Sequence, residues 1–152
     1  MSRVIFIGKT YSGKTTLCQK LNDLELKYNK TQSIEVYDNA IDTPGEYIER
    51  RWFYNALTTV AADADIIALV YDCTVDEGYF APGFASIFCK EVIGIVTKIN
   101  LAENYEQIRR GEERLKYAGV SKVFKVDTID GVGVDELAQY LSDYKVGIKN
   151  EY

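Results

Sequence analysis

The octapeptide GKTYSGKT (Gly8–Thr15) has the spacing G-x-x-x-x-G-K-[ST]. Gly8 and Gly13 permit a backbone that turns successive N–H groups inward, so the amides of Lys9, Thr10, Tyr11, Ser12 and Gly13 become candidate holders of phosphate oxygens. A helix opening directly after the loop adds its positive end to the same anion site. Lys14 is placed to bridge the β- and γ-phosphates and is the candidate catalytic cation, and Thr15 is placed to give its hydroxyl to Mg²⁺. Thr16 is the neighbouring hydroxyl and is counted with the loop, with helix capping or packing as its plainer use. A second group lies in AIDTPGE (Ala40–Glu46). Asp42 ends a short apolar strand and can hold Mg²⁺ through water. The Gly45 N–H is placed to sense a γ-phosphate, and Glu46 is a candidate base for an attacking water. Thr31, between the loop and Asp42, is a candidate to complete the Mg²⁺ shell, with an ordinary edge-strand threonine as the alternative. Arg50 and Arg51 read as surface residues before they read as an arginine finger.

A base-reading segment follows later in the chain. Thr97-Lys98-Ile99-Asn100 comes after an apolar run and resembles the N/T-K-x-D pattern of G proteins, in which the aspartate accepts two hydrogen bonds from guanine and the lysine stem covers the purine face. Thr97 and Lys98 match, whereas Asn100 replaces the acid. An Asn amide turns a donor toward the guanine 2-amino group. Losing that charge-assisted pair costs on the order of 2–4 kcal/mol, or roughly 30–1000-fold in affinity. Xanthine, with a carbonyl at position 2, suits Asn better, and adenine is also admissible. The purine nucleoside triphosphate is therefore left as GTP or ATP. The final base-contacting motif of such proteins is not kept as side chains. Val126-Asp127-Thr128 stands in its place, where a backbone N–H near Thr128 is the candidate contact to purine O6.

These groups need elements to position them. Arg3–Ile7 is a β-branched run that predicts a buried strand, followed by the glycine turn and a helix over Lys14–Asn22 with Leu17 and Leu21 on one face. Asp23–Lys30 is polar and reads as loop, Thr31–Tyr37 as an edge strand, and Tyr47–Ala62 as a helix. Asp65–Tyr71, Glu91–Thr97 and Lys122–Val126 predict further strands. Ala85–Cys89 reads as a helical turn, Tyr105–Ala118 as an amphipathic helix capped at Gly119, and Val134–Tyr144 as a closing helix. Gly111 is an unfavourable residue inside the Tyr105–Ala118 helix. This alternation argues for a mostly parallel sheet covered on both faces, in one α/β domain over residues 1–152.

Composition narrows the classes. A net charge of −5 opposes binding to nucleic acid or an anionic membrane surface. The chain has no histidine, which removes Ser-His-Asp triads and ordinary zinc sites. Its odd set of cysteines, Cys18, Cys73 and Cys89, reads as reduced thiols that pack as small hydrophobes. The run IIALVY (Ile66–Tyr71) is too short to span a bilayer. MSRVIFIGKT leads into the glycine loop without a signal-peptide pattern, so a cytoplasmic location is expected. No oligomeric state is read from the sequence.

GKTYSGKTTL, KTQ (Lys30–Gln32), IDTPGEYIE (Ile41–Glu49), ADIIALV (Ala64–Val70), FAPGF (Phe80–Phe84), IGIVTKI (Ile93–Ile99) and GVGVDEL (Gly131–Leu137) together resemble the EutP/PduV family. The resemblance implies a Ras-like P-loop NTPase fold with a sheet of about six strands. It also implies association with bacterial microcompartments for ethanolamine or propanediol utilisation, with shell proteins as candidate partners. Three functions stay open: a slow Mg²⁺-dependent nucleotide switch, an ATP-dependent phosphotransferase acting on acetate, and a module that holds nucleotide without turnover. Tyr11, Asn100 and Asp127-Thr128 depart from the family pattern.

Overall fold

The computed structural model describes residues 3–8, 12–28, 33–38, 58–59, 62, 64–76 and 80–150. Among these residues five strands form one sheet: β1 (Arg3–Gly8), β2 (Ser33–Asp38), β3 (Ile66–Asp72), β4 (Glu91–Thr97) and β5 (Val123–Lys125), in the order β2-β1-β3-β4-β5. Every pairing is parallel. Parallel neighbours need crossover connections, and these place helices on the faces of the sheet. The helices given in full among the described residues are α1 (Lys14–Tyr28), α2 (Tyr105–Ala118) and α3 (Val134–Asn150), with short 3₁₀ turns at Phe84–Ile87 and Ile99–Leu101.

Burial on both faces explains the near-continuous apolar strands. All of β3 is buried. Val4, Phe6, Ile66, Ala68, Val70, Ile93 and Ile95 form one face and pack with Leu17 and Leu21 of α1 and Leu137 and Leu141 of α3. Ile5, Ile7, Ile67, Leu69, Tyr71 and Val96 form the other, with Leu115 and Ala118 of α2 and the row Phe80, Phe84 and Phe88. Phe84 meets both neighbouring rings at centroid distances of 5.6 Å, tilted against Phe80 and edge-on to Phe88.

Gly111, unfavourable for a helix, has a packing reason. A Cβ there would lie 3.1 Å from Cδ1 of Tyr71, so the missing side chain lets α2 settle on the Tyr71 ring. The Tyr71 hydroxyl in turn donates to the Val75 carbonyl at 3.0 Å and accepts from Arg114, whose Nη2 reaches Asp76 at 2.6 Å.

Several boundaries differ from the sequence reading. α1 continues through Asp23–Tyr28, which read as loop; Leu24, Glu25, Leu26 and Lys27 are strong helix formers with no breaker among them. α3 runs to Asn150 instead of Tyr144. The edge strand is Ser33–Asp38, and β5 shrinks to three residues. Of the helix expected over Tyr47–Ala62, Thr58 and Thr59 are helical and Ala62 lies in a turn, the rest being outside the described residues. The short strand expected before the Asp42 turn also lies outside them, so the expected sheet of about six strands is seen here as five.

Cys18 and Cys73 are buried as expected, but Cys89 is exposed, in the bend between the 3₁₀ turn and β4. Burial pushes the Cys18 thiol up to about 12, partly opposed by the charge of Lys14. Burial, and then the neighbouring Asp72 carboxylate, also raise Cys73. Because the thiolate is the reactive form, titration of native protein with a disulfide reagent at pH 8 should release one fast equivalent. Cys89→Ser should remove it, and unfolding should expose the other thiols.

Candidate functional site

Parallel strands deliver their C-terminal ends to one edge of the sheet. In register, Gly8 lies beside Asp38 on one side and Val70 on the other, and Asp72 lies beside Thr97. The phosphate-type loop leaves β1 at this edge, and the Thr97–Asn100 segment leaves β4 at the same edge.

The loop has the features of an anion cradle. A Cβ at Gly8 would lie 2.8 Å from the Val70 carbonyl oxygen and 3.0 Å from Ser12 Oγ, and Gly13 has φ +99°. Neither position accepts a side chain without strain. Lys14 is 3% exposed, and its Nζ donates to the Gly8 carbonyl at 2.7 Å. A buried ammonium is costly unless anionic or strongly polar groups surround it. The buried Ser12 hydroxyl has no hydrogen-bond partner among the described residues, which leaves a donor for an incoming acceptor. The first turn of α1 carries no acidic residue of its own to offset the positive helix end. These residues fit a phosphate chain. Thr15 and Thr16 are both exposed on that first turn. Lys9, Thr10, Tyr11, Thr31, Asp42, Gly45 and Glu46 lie outside the described residues, as do Arg50 and Arg51.

Thr97, the first residue of the base-reading segment, turns inward. It is 1% exposed, and its hydroxyl lies 2.5 Å from the Ser12 carbonyl and 3.3 Å from the Tyr71 carbonyl. A Cβ at Gly13 would lie 3.6 Å from Thr97 Cβ. One hydroxyl therefore fastens the phosphate-type loop to the end of β4. Lys98 follows in the left-handed region at φ 61°, ψ 34°, a conformation that costs about 1–3 kcal/mol for a non-glycine residue. Several bonds hold it. Its carbonyl accepts from Cys73 Sγ at 3.4 Å and from Leu101 N–H at 2.9 Å, and its Nζ lies 2.9 Å from Asp72 Oδ2. Asn100 is exposed within the 3₁₀ turn that follows.

The same architecture occurs in Methanosarcina barkeri Roco2 RocCORdC bound to GDP. That structure superposes with a TM-score of 0.59 at 17% identity, over 93% of this chain and 48% of the other, so this chain spans about half its length. The likeness supports the expected Ras-like α/β fold. At the sequence level, the family model described as "Ethanolamine utilisation - propanediol utilisation" matches residues 1–143. The chain belongs to the PduV-EutP family. Among its relatives is the propanediol utilization protein PduV of Citrobacter freundii, 42% identical over 142 residues, covering 93% of this chain and 94% of that protein. Another, named probable acetate kinase EutP, comes from Escherichia coli K12 and is 30% identical over 145 residues, covering 93% and 90%. A EutP of the same name from Salmonella typhimurium is 29% identical over the same length.

Two residues of this PduV-EutP chain enter the site region in roles the sequence did not assign: Asp72, not singled out there, and Asp127, named there only as part of Val126-Asp127-Thr128. Asp72 caps the end of β3. Its Oδ1 accepts from the Thr74 N–H at 2.9 Å and the Thr74 hydroxyl at 2.6 Å. The Asp-x-Thr spacing was the available signal, since Asx turns favour it. Asp127 is 3% exposed, and its Oδ1 accepts from the N–H groups of Ile129 at 2.8 Å and Asp130 at 3.3 Å. It therefore builds the turn that carries the half-buried Thr128, and this turn is tied to the Lys98 loop by Ile99 N–H to the Val126 carbonyl at 3.4 Å. In the PduV-EutP fold the candidate base loops are thus one connected surface. Among the described residues no helix is long and apolar enough to cross a membrane, and no group of three or more His, Cys, Asp or Glu is placed to hold a metal ion.

Proposed function

We propose that this PduV-EutP chain is a single-domain, GTPase-like nucleotide switch accessory to ethanolamine or propanediol utilisation, and that it binds a Mg²⁺–purine nucleoside triphosphate on Gly8–Thr15. The observation that carries the reading is the buried Lys14 ammonium, held on the Gly8 carbonyl beside a Ser12 hydroxyl without a partner among the described residues. A triphosphate would replace that neutral acceptor with anionic oxygens, a stronger charge-assisted contact. Thr15, Thr31 and Asp42 would hold Mg²⁺, which would neutralise charge on the phosphates. The Gly45 N–H would sense the γ-phosphate, and Glu46 would orient or deprotonate water. Lys98 would cover the purine, Asn100 would read its edge, and a backbone N–H near Thr128 would reach position 6. The switch would work in the cytoplasm with a microcompartment shell protein as its reader.

The second reading, phosphate transfer from ATP to acetate, is favoured by the name probable acetate kinase carried by the EutP relatives. A holding module without turnover is the third.

Calorimetric titration with GTP, ATP and XTP in Mg²⁺ separates these, run beside Asn100→Asp. The expected result is a wild-type preference for XTP or ATP, with Asn100→Asp raising GTP affinity by about 30–1000-fold. GTP preference in the wild type would remove Asn100 from base reading. ³¹P spectra taken with ATP and acetate decide the second reading: an acetyl-phosphate signal that disappears in Lys14→Ala supports it, and one that persists marks a contaminant. Binding without product in either assay leaves the holding module.

A further inference from the structure

We infer that Asp72 is the positioning residue for purine recognition, acting through Lys98; the inference rests on the nucleotide-binding reading above and adds to it the group that sets the base-covering stem.

Lys98 is the non-glycine residue with a positive φ among the described residues. Its strained backbone sends the side chain back toward the end of β3, where Nζ meets Asp72 Oδ2 at 2.9 Å. The two ends of the pair differ in freedom. The Lys98 side chain is 31% exposed and the Asp72 side chain 8%. Asp72 is fixed by the two Thr74 bonds to its other oxygen, so one carboxylate oxygen is bound locally and the other is committed to the lysine. The turn that carries Asp72 is itself anchored. The Cys73 N–H donates to the Thr97 carbonyl at 3.3 Å, and the Cys73 carbonyl accepts from Arg110 Nη2 at 3.4 Å.

A lysine stem is flexible, with rotamer freedom that must be lost before it can serve as a flat apolar support. The buried, doubly held carboxylate removes that freedom before the ligand arrives. Preorganisation of this kind raises affinity without a new contact to the ligand. Asp72 needs no contact with the purine, and the phosphate groups, held by Gly8–Thr15, do not depend on it.

Asp72→Asn keeps an oxygen for Thr74 and removes the charge that holds Lys98, so the turn is preserved. Binding of Mg²⁺–nucleoside triphosphate (the best of GTP, ATP and XTP) is compared with binding of Mg²⁺–tripolyphosphate, which has no base. The expected result is an approximately tenfold loss for the nucleotide, the size of one ion-pair contact, with tripolyphosphate unchanged. Lys98→Met should show a similar selective loss, and the double variant no further loss than Lys98→Met alone. Equal weakening of both ligands, or additive losses in the double variant, would overturn the assignment, since either result makes Asp72 a general structural support. Unchanged nucleotide binding in Asp72→Asn overturns it alone, with wild-type binding still supporting the nucleotide reading. A wild type that binds tripolyphosphate but no nucleotide overturns base recognition, and this assignment with it.

Discussion

Gly133→Ala should lower the free energy of unfolding by about 2–5 kcal/mol, the sum of left-handed strain and forced overpacking. Gly133 has φ +79°, and a Cβ there would sit 2.1 Å from the Lys125 carbonyl oxygen and 3.1 Å from its carbon. The obstacle is backbone, at the end of β5, so no side-chain rotation relieves it. Gly131 is the internal control. It has φ +83° but meets nothing within 4 Å, so Gly131→Ala carries strain alone, about 1–2 kcal/mol. Urea denaturation of the two variants measures the difference. Equal losses would mean that the turn before α3 moves away from β5 at little cost. The pair also explains why GVGVDEL precedes α3: one glycine serves the turn, and the other serves the turn and the close approach.

Lys14→Met should remove nucleoside triphosphate binding, with affinity falling by about 100–1000-fold as charge-assisted contacts in a desolvated site are lost. Its effect on the free protein should have the opposite sign or be near zero. Lys14 is 3% exposed and bonded to the neutral Gly8 carbonyl. An apolar side chain of similar length relieves the burial of a charge while leaving its partners, the Gly8 carbonyl among them, short of a donor, and these effects are of comparable size. Titration calorimetry should therefore show lost binding while the melting temperature of the ligand-free protein holds or rises. A fall in melting temperature that parallels the loss of binding would make Lys14 a structural residue.

Strand cores were legible because burial on both faces leaves an unbroken apolar signature: Glu91–Thr97 matches β4 residue for residue, and α2 matches through its Gly119 cap. Helix ends were less legible where no cap or breaker marks them. Asp23–Tyr28 looks polar enough for a loop, yet its residues have good helical propensity and α1 continues. In the candidate site, the tight turn at Gly8 and Gly13 was readable because a close approach and a positive φ demand glycine. The inward turn of Thr97 was not, because a hydroxyl bonded to the Ser12 carbonyl depends on a contact between residues 85 positions apart. The Asp72–Lys98 pair was hidden for the same reason.

The place of β1 in the sheet sets a timetable for biosynthesis. It lies between β2 and β3, and Val4 pairs with Ile66. Val4-Ile5-Phe6-Ile7 is an apolar, β-prone segment without a proline or charge. Its β3 side stays open until about sixty more residues have been made, an interval of roughly 3–12 s at ordinary translation rates. During that interval a strand that is buried from Val4 to Gly8 in the finished protein is an exposed sticky edge on the ribosome. Slower growth temperatures or a holding chaperone would therefore be expected to raise the yield of native chain without altering its final stability.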